Sequence, residues 1–190
     1  LRAKALKYKQ GKTNTRDKLL SATDAMGKLA TIPVVVQFVN AANKTPVARK
    51  AMEKVLGVHH ERVLPDYASR KFRPNAQADA SFAVRDGKSA PGKVAIFSTC
   101  YINYNEPGIG HDLLKILAHN EVPAVVVEKE ACCGMPKLEL GDLEAVARLK
   151  AVNIPPLARL AREGYAILSA IPSCTLMFKQ ELPLMFPDDE

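Results

Sequence analysis

Three short apolar runs in the second half of the chain each lead to a cysteine, and that placement dictates a sheet with its chemistry on one rim. Val94-Ala-Ile-Phe97 runs through Ser-Thr to Cys100, Ala124-Val-Val-Val127 runs through a short charged step to Cys132 and Cys133, and Tyr165-Ala-Ile-Leu168 precedes Cys174. Strands are expected over 94–98, 124–127 and 165–168, with helices over 109–120 and 140–163 between them. Asn153-Ile-Pro155-Pro156 is expected to kink or split the second helix. This alternation is the grammar of a parallel sheet with right-handed crossovers, so the fold class is α/β. Ligands of such sheets sit at the carboxyl ends of the strands, and strands about 4.8 Å apart bring three ends within reach of one inorganic group.

The chain has only these four cysteines. Adjacent cysteines rarely pair, and no secretory signal precedes them, so reduced thiols available as ligands are expected. Four thiolates match either a cubane [4Fe-4S] cluster or a structural zinc site. Thirty-one residues separate Cys100 from the pair and 40 separate Cys133 from Cys174. The close CxxC knuckles of a zinc ribbon are missing, which favours a cluster held by separate loops. Successive side chains on a strand point to opposite faces, so Cys132 and Cys133 can share one centre only if the backbone turns there. Gly134 supplies the permissive dihedrals and Pro136 stiffens the exit.

Gly108 and Gly110 resemble a phosphate loop without the third glycine of GxGxxG. They are read as allowing close approach of a helix N-terminus to an anionic group, with nucleotide binding as a weaker option. His111 reads as a helix-start histidine, and Asp112, Glu139 and Asp142 as helix caps. No paired carboxylates or Ser/His/Asp order points to hydrolysis, so no catalytic residue is assigned. His59 and His60 have no nearby His or Cys partner in sequence and read as surface residues.

The first part of the chain is different. Residues 1–75 carry 16 Lys/Arg against 5 Asp/Glu, and residues 76–190 carry 11 against 15, giving +11 and −4. A basic helical docking or linker segment is expected over 1–75 and the cysteine-bearing α/β domain over 76–190. Thr15-Arg16-Asp17 opens a helix running through Met26, residues 32–43 form another, and Thr45-Pro46 starts a third that stops at Gly57. From His59 to Pro91 the pattern breaks into an extended connector. The charge suits an acidic partner protein or anionic lipid, whereas nucleic acid is excluded for want of any recognition motif. The longest apolar stretch, near residues 32–39, is too short to span a membrane.

The residues Ser98-Thr-Cys-Tyr-Ile-Asn-Tyr-Asn-Glu-Pro-Gly-Ile-Gly-His111, Ala131-Cys-Cys-Gly-Met-Pro-Lys-Leu-Glu-Leu-Gly-Asp142 and Pro172-Ser-Cys-Thr-Leu-Met-Phe-Lys179 resemble the cysteine-rich CCG domain family. The family includes the CCG-bearing component of heterodisulfide reductase. Each ligand loop looks most like the branch that serves anaerobic glycerol-3-phosphate dehydrogenase. The resemblance implies an iron-sulfur electron-transfer subunit of an oxidoreductase complex rather than a complete catalyst. Its ligands would be Cys100, Cys132, Cys133 and Cys174, its donor a flavoprotein dehydrogenase, and its acceptor a quinone or a redox protein. It would be cytoplasmic, with peripheral contact to the inner face of the membrane as an option. A zinc-stabilised docking module is the alternative.

This chain departs from the family pattern where Cys-x-x-Cys is replaced by Cys174-Thr-Leu-Met177, and Met177 reads as packing. Four thiolates suit an ordinary cubane, which makes conduction a better expectation than disulfide cleavage. Neither a ferredoxin-like CxxCxxCxxxCP run nor a second cysteine-rich copy is present, and the first residue is Leu, so a piece of a longer protein is expected.

Overall fold

A computed structural model describes residues 2–73 and 92–189. Strands β1 (Lys93–Ile96), β2 (Ala124–Val126) and β3 (Tyr165–Leu168) form one parallel sheet in the order β2-β1-β3. The fold is therefore α/β. Ala95 of β1 pairs with Val125 on one side and Ile167 on the other. Central β1 separates two cores because its side chains alternate in direction. Ala95 and Phe97 join Val127, Val146, Leu157, Met177 and Leu182 in one cluster, while Ile96 joins Phe72, Ile102 and Leu114 in the other. Each fully buried side chain of this size contributes about 1.5–3 kcal/mol.

The first crossover helix, Pro107–His119, starts with proline and ends at Asn120, whose side-chain amide donates to the Ile116 carbonyl at 2.8 Å. Leu114 is buried and Leu113 and Leu117 flank it, whereas Ile116 is 59% exposed. It lies two residues from Leu114, about 200° around the helix.

The second crossover corrects the expected break. Helix Met135–Leu140 ends at Gly141 in the left-handed region, and helix Leu143–Arg162 then continues through Pro155 and Pro156 without interruption. The prolines remove two N–H donors, but flanking contacts hold the helix in place. Leu157 is buried beyond them, and Asn153, 1% exposed, bonds the Ala131 N–H at 2.8 Å and the Cys132 carbonyl at 3.0 Å. After β3, helix Pro172–Leu176 passes through a π-helical turn, Met177–Glu181, into helix Leu182–Met185.

The basic first part holds helices Arg2–Lys9, Thr15–Leu20, Thr23–Ala30, Val35–Lys44 and Pro46–Leu56. The helix expected to run from Thr15 through Met26 breaks at Ser21 and Ala22, and the one expected from residue 32 starts later. Pro33 and Val34 occupy a turn there, with Val34 at φ 75°. Pro46 opens its helix and Gly57 closes it at φ 59°, as the sequence predicts. Residues 57–71 contain no helix or strand. The rest of the expected connector, to residue 91, falls mostly outside the described residues.

Three close contacts tie the helices to the α/β part. A Cβ on Gly141 would lie 2.6 Å from the Lys4 backbone, and the Tyr8 hydroxyl donates to Asp142 at 2.8 Å. A Cβ on Gly27 would lie 2.3 Å from the Tyr104 ring.

Candidate metal centre

The structure brings all four cysteines to the rim expected of them. Cys100 lies in the first turn of helix Thr99–Tyr104 after β1, the pair lies between β2 and helix Met135–Leu140, and Cys174 lies in helix Pro172–Leu176 after β3. They line one cavity of about 470 Å³, with Tyr101, Glu139, Ile171 and Ser173 among its other walls. All four thiols are free; Cys132, Cys133 and Cys174 are buried and Cys100 is half-buried.

The backbone turns sharply beside these thiols. Gly134 takes φ +102° immediately after Cys133, the region where glycine is at ease. Thr99, immediately before Cys100, takes φ +66° although it is β-branched. Such strain persists only where neighbours over-determine it. Here Thr99 is 1% exposed and its hydroxyl accepts from the Ile102 N–H at 3.3 Å. Met177 is fully buried, and its methyl carbon lies 3.4 Å from where a Gly134 Cβ would stand. Its side chain packs beneath the Cys-Cys-Gly turn.

The thiols are close enough to influence one another's ionisation, Cys132 with Cys100 and Cys133, and Cys133 with Cys174. Cys132 is the focus. Its thiol is held well below the ordinary range by the hydrogen bond from Cys100 and then that from Cys133, with help from the Thr23 hydroxyl and the Gly134 N–H, against the cost of burial. Cys100 and Cys133 are pushed up, chiefly by those same bonds to Cys132. The donor set is soft, enclosed and rich in N–H and O–H partners, which suits a thiolate-bound metal or cluster.

Several surrounding residues escaped the sequence reading. Thr23 Oγ1 donates to Cys132 Sγ at 3.4 Å, and Asp24 accepts from the Cys132 N–H at 2.9 Å. Both lie more than 100 residues upstream, in the basic segment, and nothing local in the sequence marks them. Glu130 is buried, accepts from the Ser98 N–H at 2.9 Å and from its hydroxyl, and faces the Arg73 guanidinium at 3.6 Å. Burial pushes its carboxyl up to about 7 against the opposing pull of Ser98 and Arg73. A charged residue two positions before the cysteine pair was the available signal for Glu130.

Gly108 and Gly110, read as cofactor-binding, do not line the cysteine cavity. A Cβ on Gly108 would meet only open space, and one on Gly110 would strike the Phe72 ring at 2.6 Å. The close approach that Gly110 permits is thus to an aromatic side chain. His111 stacks edge-on against the same ring, centroids 5.2 Å apart. Of the three acids read as caps, Asp142 accepts from the Ala145 N–H at 3.1 Å, while Asp112 and Glu139 pair with Lys115 and Lys4.

Residues 94–179 match the family described as a cysteine-rich domain, CCG. Over 96% of its length the chain is 28% identical to one of the subunits of anaerobic glycerol-3-phosphate dehydrogenase from Escherichia coli K12, of which it spans 44%. It is 29% identical over 98 residues, 51% of the chain and 19% of the relative, to one of the subunits of a fumarate reductase (CoM/CoB) from Methanothermobacter marburgensis. It is also 29% identical over 62 residues, 33% of the chain and 13% of the relative, to an uncharacterized iron-sulfur protein of Methanocaldococcus jannaschii. The chain thus spans less than half the length of the curated relatives it matches. No solved structure matches it. Among the described residues no single helix is long and apolar enough to cross a membrane.

Proposed function

Because residues 94–179 belong to the CCG cysteine-rich domain family, we propose that the protein is an iron-sulfur electron-transfer subunit of a multi-subunit oxidoreductase. In this reading Cys100, Cys132, Cys133 and Cys174 hold the cluster. A [4Fe-4S] cluster, when bound, supplies one-electron transfer. The residues around it do the rest. Thr23 and the Gly134 N–H direct hydrogen bonds at Cys132, stabilising negative charge on its sulfur. Met177 and Leu138 exclude water from beneath the cysteine pair.

The observation that carries the reading is that all four cysteines, each a free thiol, line one cavity of about 470 Å³ at the carboxyl ends of the three strands. Four thiolates from three separate loops match the ligand count of a cubane cluster.

In the same reading a flavoprotein dehydrogenase is the donor and a quinone or redox protein the acceptor. The basic helices of residues 1–75 form the docking segment, and exposed Leu29, Val34 and Phe38, with Lys28 next to Leu29 in the chain, suit a peripheral contact at the inner face of the membrane. Anaerobically purified protein is expected to be brown, with about four iron and four sulfide per chain, following the cubane ligand count. Dithionite should change its electron paramagnetic resonance spectrum. Zinc in place of iron, or reduced thiols with neither metal nor sulfide, would overturn the proposal.

A further inference from the structure

The turn after helix Pro46–Leu56 builds a second constellation of metal-ligating side chains, far in sequence from every cysteine. Glu53 sits in the last turn of the helix, Gly57 ends it in the left-handed conformation, and the chain then folds back through His59 and His60. The backbone of this turn is fixed independently of the two imidazoles. Arg49, 4% exposed, donates to the carbonyl oxygens of His59 at 2.9 Å, His60 at 3.2 Å and Arg62 at 2.5 Å. One buried guanidinium, placed a helical turn before Glu53, thus clamps three carbonyls and delivers both histidines to the same carboxylate.

The resulting geometry is convergent. His60 Nδ1 lies 2.7 Å from one Glu53 oxygen and His59 Nε2 lies 3.8 Å from the other. The two rings stack at 4.6 Å with their planes 27° apart. One ligand atom from each of the three residues falls within 4.8 Å of the other two. Two imidazole nitrogens and a carboxylate oxygen are a donor set for borderline divalent ions such as Zn²⁺, Ni²⁺ and Cu²⁺, and a poor one for Mg²⁺ or Ca²⁺, which prefer all-oxygen shells.

We propose that Glu53, His59 and His60 form a divalent transition-metal site separate from the cysteine centre, with water completing the shell. Partial exposure of all three side chains makes it an exchangeable site rather than a closed structural one. The ion it takes staples the end of helix Pro46–Leu56 to the turn that follows. Arg49, Lys50, Lys54 and Arg62, neighbours in sequence, weaken binding but leave the donor set intact.

Nickel titration of the full chain, followed by imidazole-resolved nuclear magnetic resonance, tests this directly. Each histidine is read separately, so nickel captured by the thiols cannot be mistaken for nickel at this turn. His59 and His60 resonances are expected to broaden together near one added equivalent, while His119, exposed on another helix, stays sharp. Glu53→Gln and His60→Ala should each weaken the effect at least tenfold, and His119→Ala should not change it. Unperturbed His59 and His60 signals at stoichiometric nickel, or equal broadening in Glu53→Gln, would overturn the site and leave a plain ion pair.

Discussion

Gly27 lies against the Tyr104 ring so closely that a β-carbon would stand 2.3 Å from Cδ2. Tyr104 belongs to the helix that carries Cys100, and Gly27 to the helix whose first turn carries Thr23 and Asp24. This contact, with the Thr23 and Asp24 bonds to Cys132, fixes the approach of the basic segment to the thiols. Replacing Gly27 with alanine forces the two helices apart, and overpacking of this kind costs about 1–3 kcal/mol. Chemical denaturation should show that loss. An unchanged midpoint would mean the ring swings aside freely.

The Thr23 hydroxyl tunes Cys132. In cluster-loaded protein, Thr23→Val is expected to lower the reduction potential, because a donor to thiolate sulfur is lost, and Thr23→Ser should restore it. About 1.4 kcal/mol corresponds to roughly 59 mV for one electron, so a shift of tens of millivolts is expected in a redox titration. Equal potentials in the valine and serine variants would assign Thr23 a packing role only.

Cys174→Ser and Met177→Leu separate ligation from packing. Iron retention through anaerobic gel filtration is expected to fall severalfold in the serine variant and to stay close to wild type in the leucine variant, a nearly volume-conserving swap. Comparable losses would contradict the assignment of Met177 to the floor of the site.

Asn153 holds the loop before the cysteine pair from inside the long helix. Asn153→Ala strands the Ala131 N–H and the Cys132 carbonyl without partners, at about 1–3 kcal/mol for each buried group left unpaired. Thermal unfolding should therefore begin substantially lower. A variant as stable as wild type would indicate that water replaces the amide.

Tyr8 links pH to the docking of the first helix. Its hydroxyl donates to Asp142, and that bond, with smaller help from burial and the Asp142 charge, raises its pKa above 10.0. Since the folded value is raised, the contribution is fully present below pH 10 and is lost as pH climbs through the folded value. Tyr8→Phe should thus be less stable than wild type by a constant margin at neutral pH, and the margin should shrink at strongly alkaline pH. A margin independent of pH throughout would contradict the bond.

The sheet and its chemical rim were legible in the sequence because strand period, crossover length and cysteine position all agree there. Residues 165–168 form a strand with the predicted ends, and Gly134 takes the left-handed turn expected directly after the cysteine pair. Long-range partners were not legible. Nothing near Thr23 or Asp24 in sequence announces Cys132, since the contact is made by a helix packing across the fold. Gly110 misled for the same reason: its missing side chain admits the Phe72 ring, and sequence cannot distinguish an aromatic neighbour from an anion. The proline pair at 155–156 does not split the helix, because flanking burial outweighs the local preference to break.

The order β2-β1-β3 has a consequence for how the site is assembled. β1 forms first in the chain yet sits in the middle, so its two neighbours arrive later, on opposite sides. The four sulfurs become neighbours only after the last strand has docked and residue 174 has cleared the ribosome. Until then the chain can bring at most three of them to the rim.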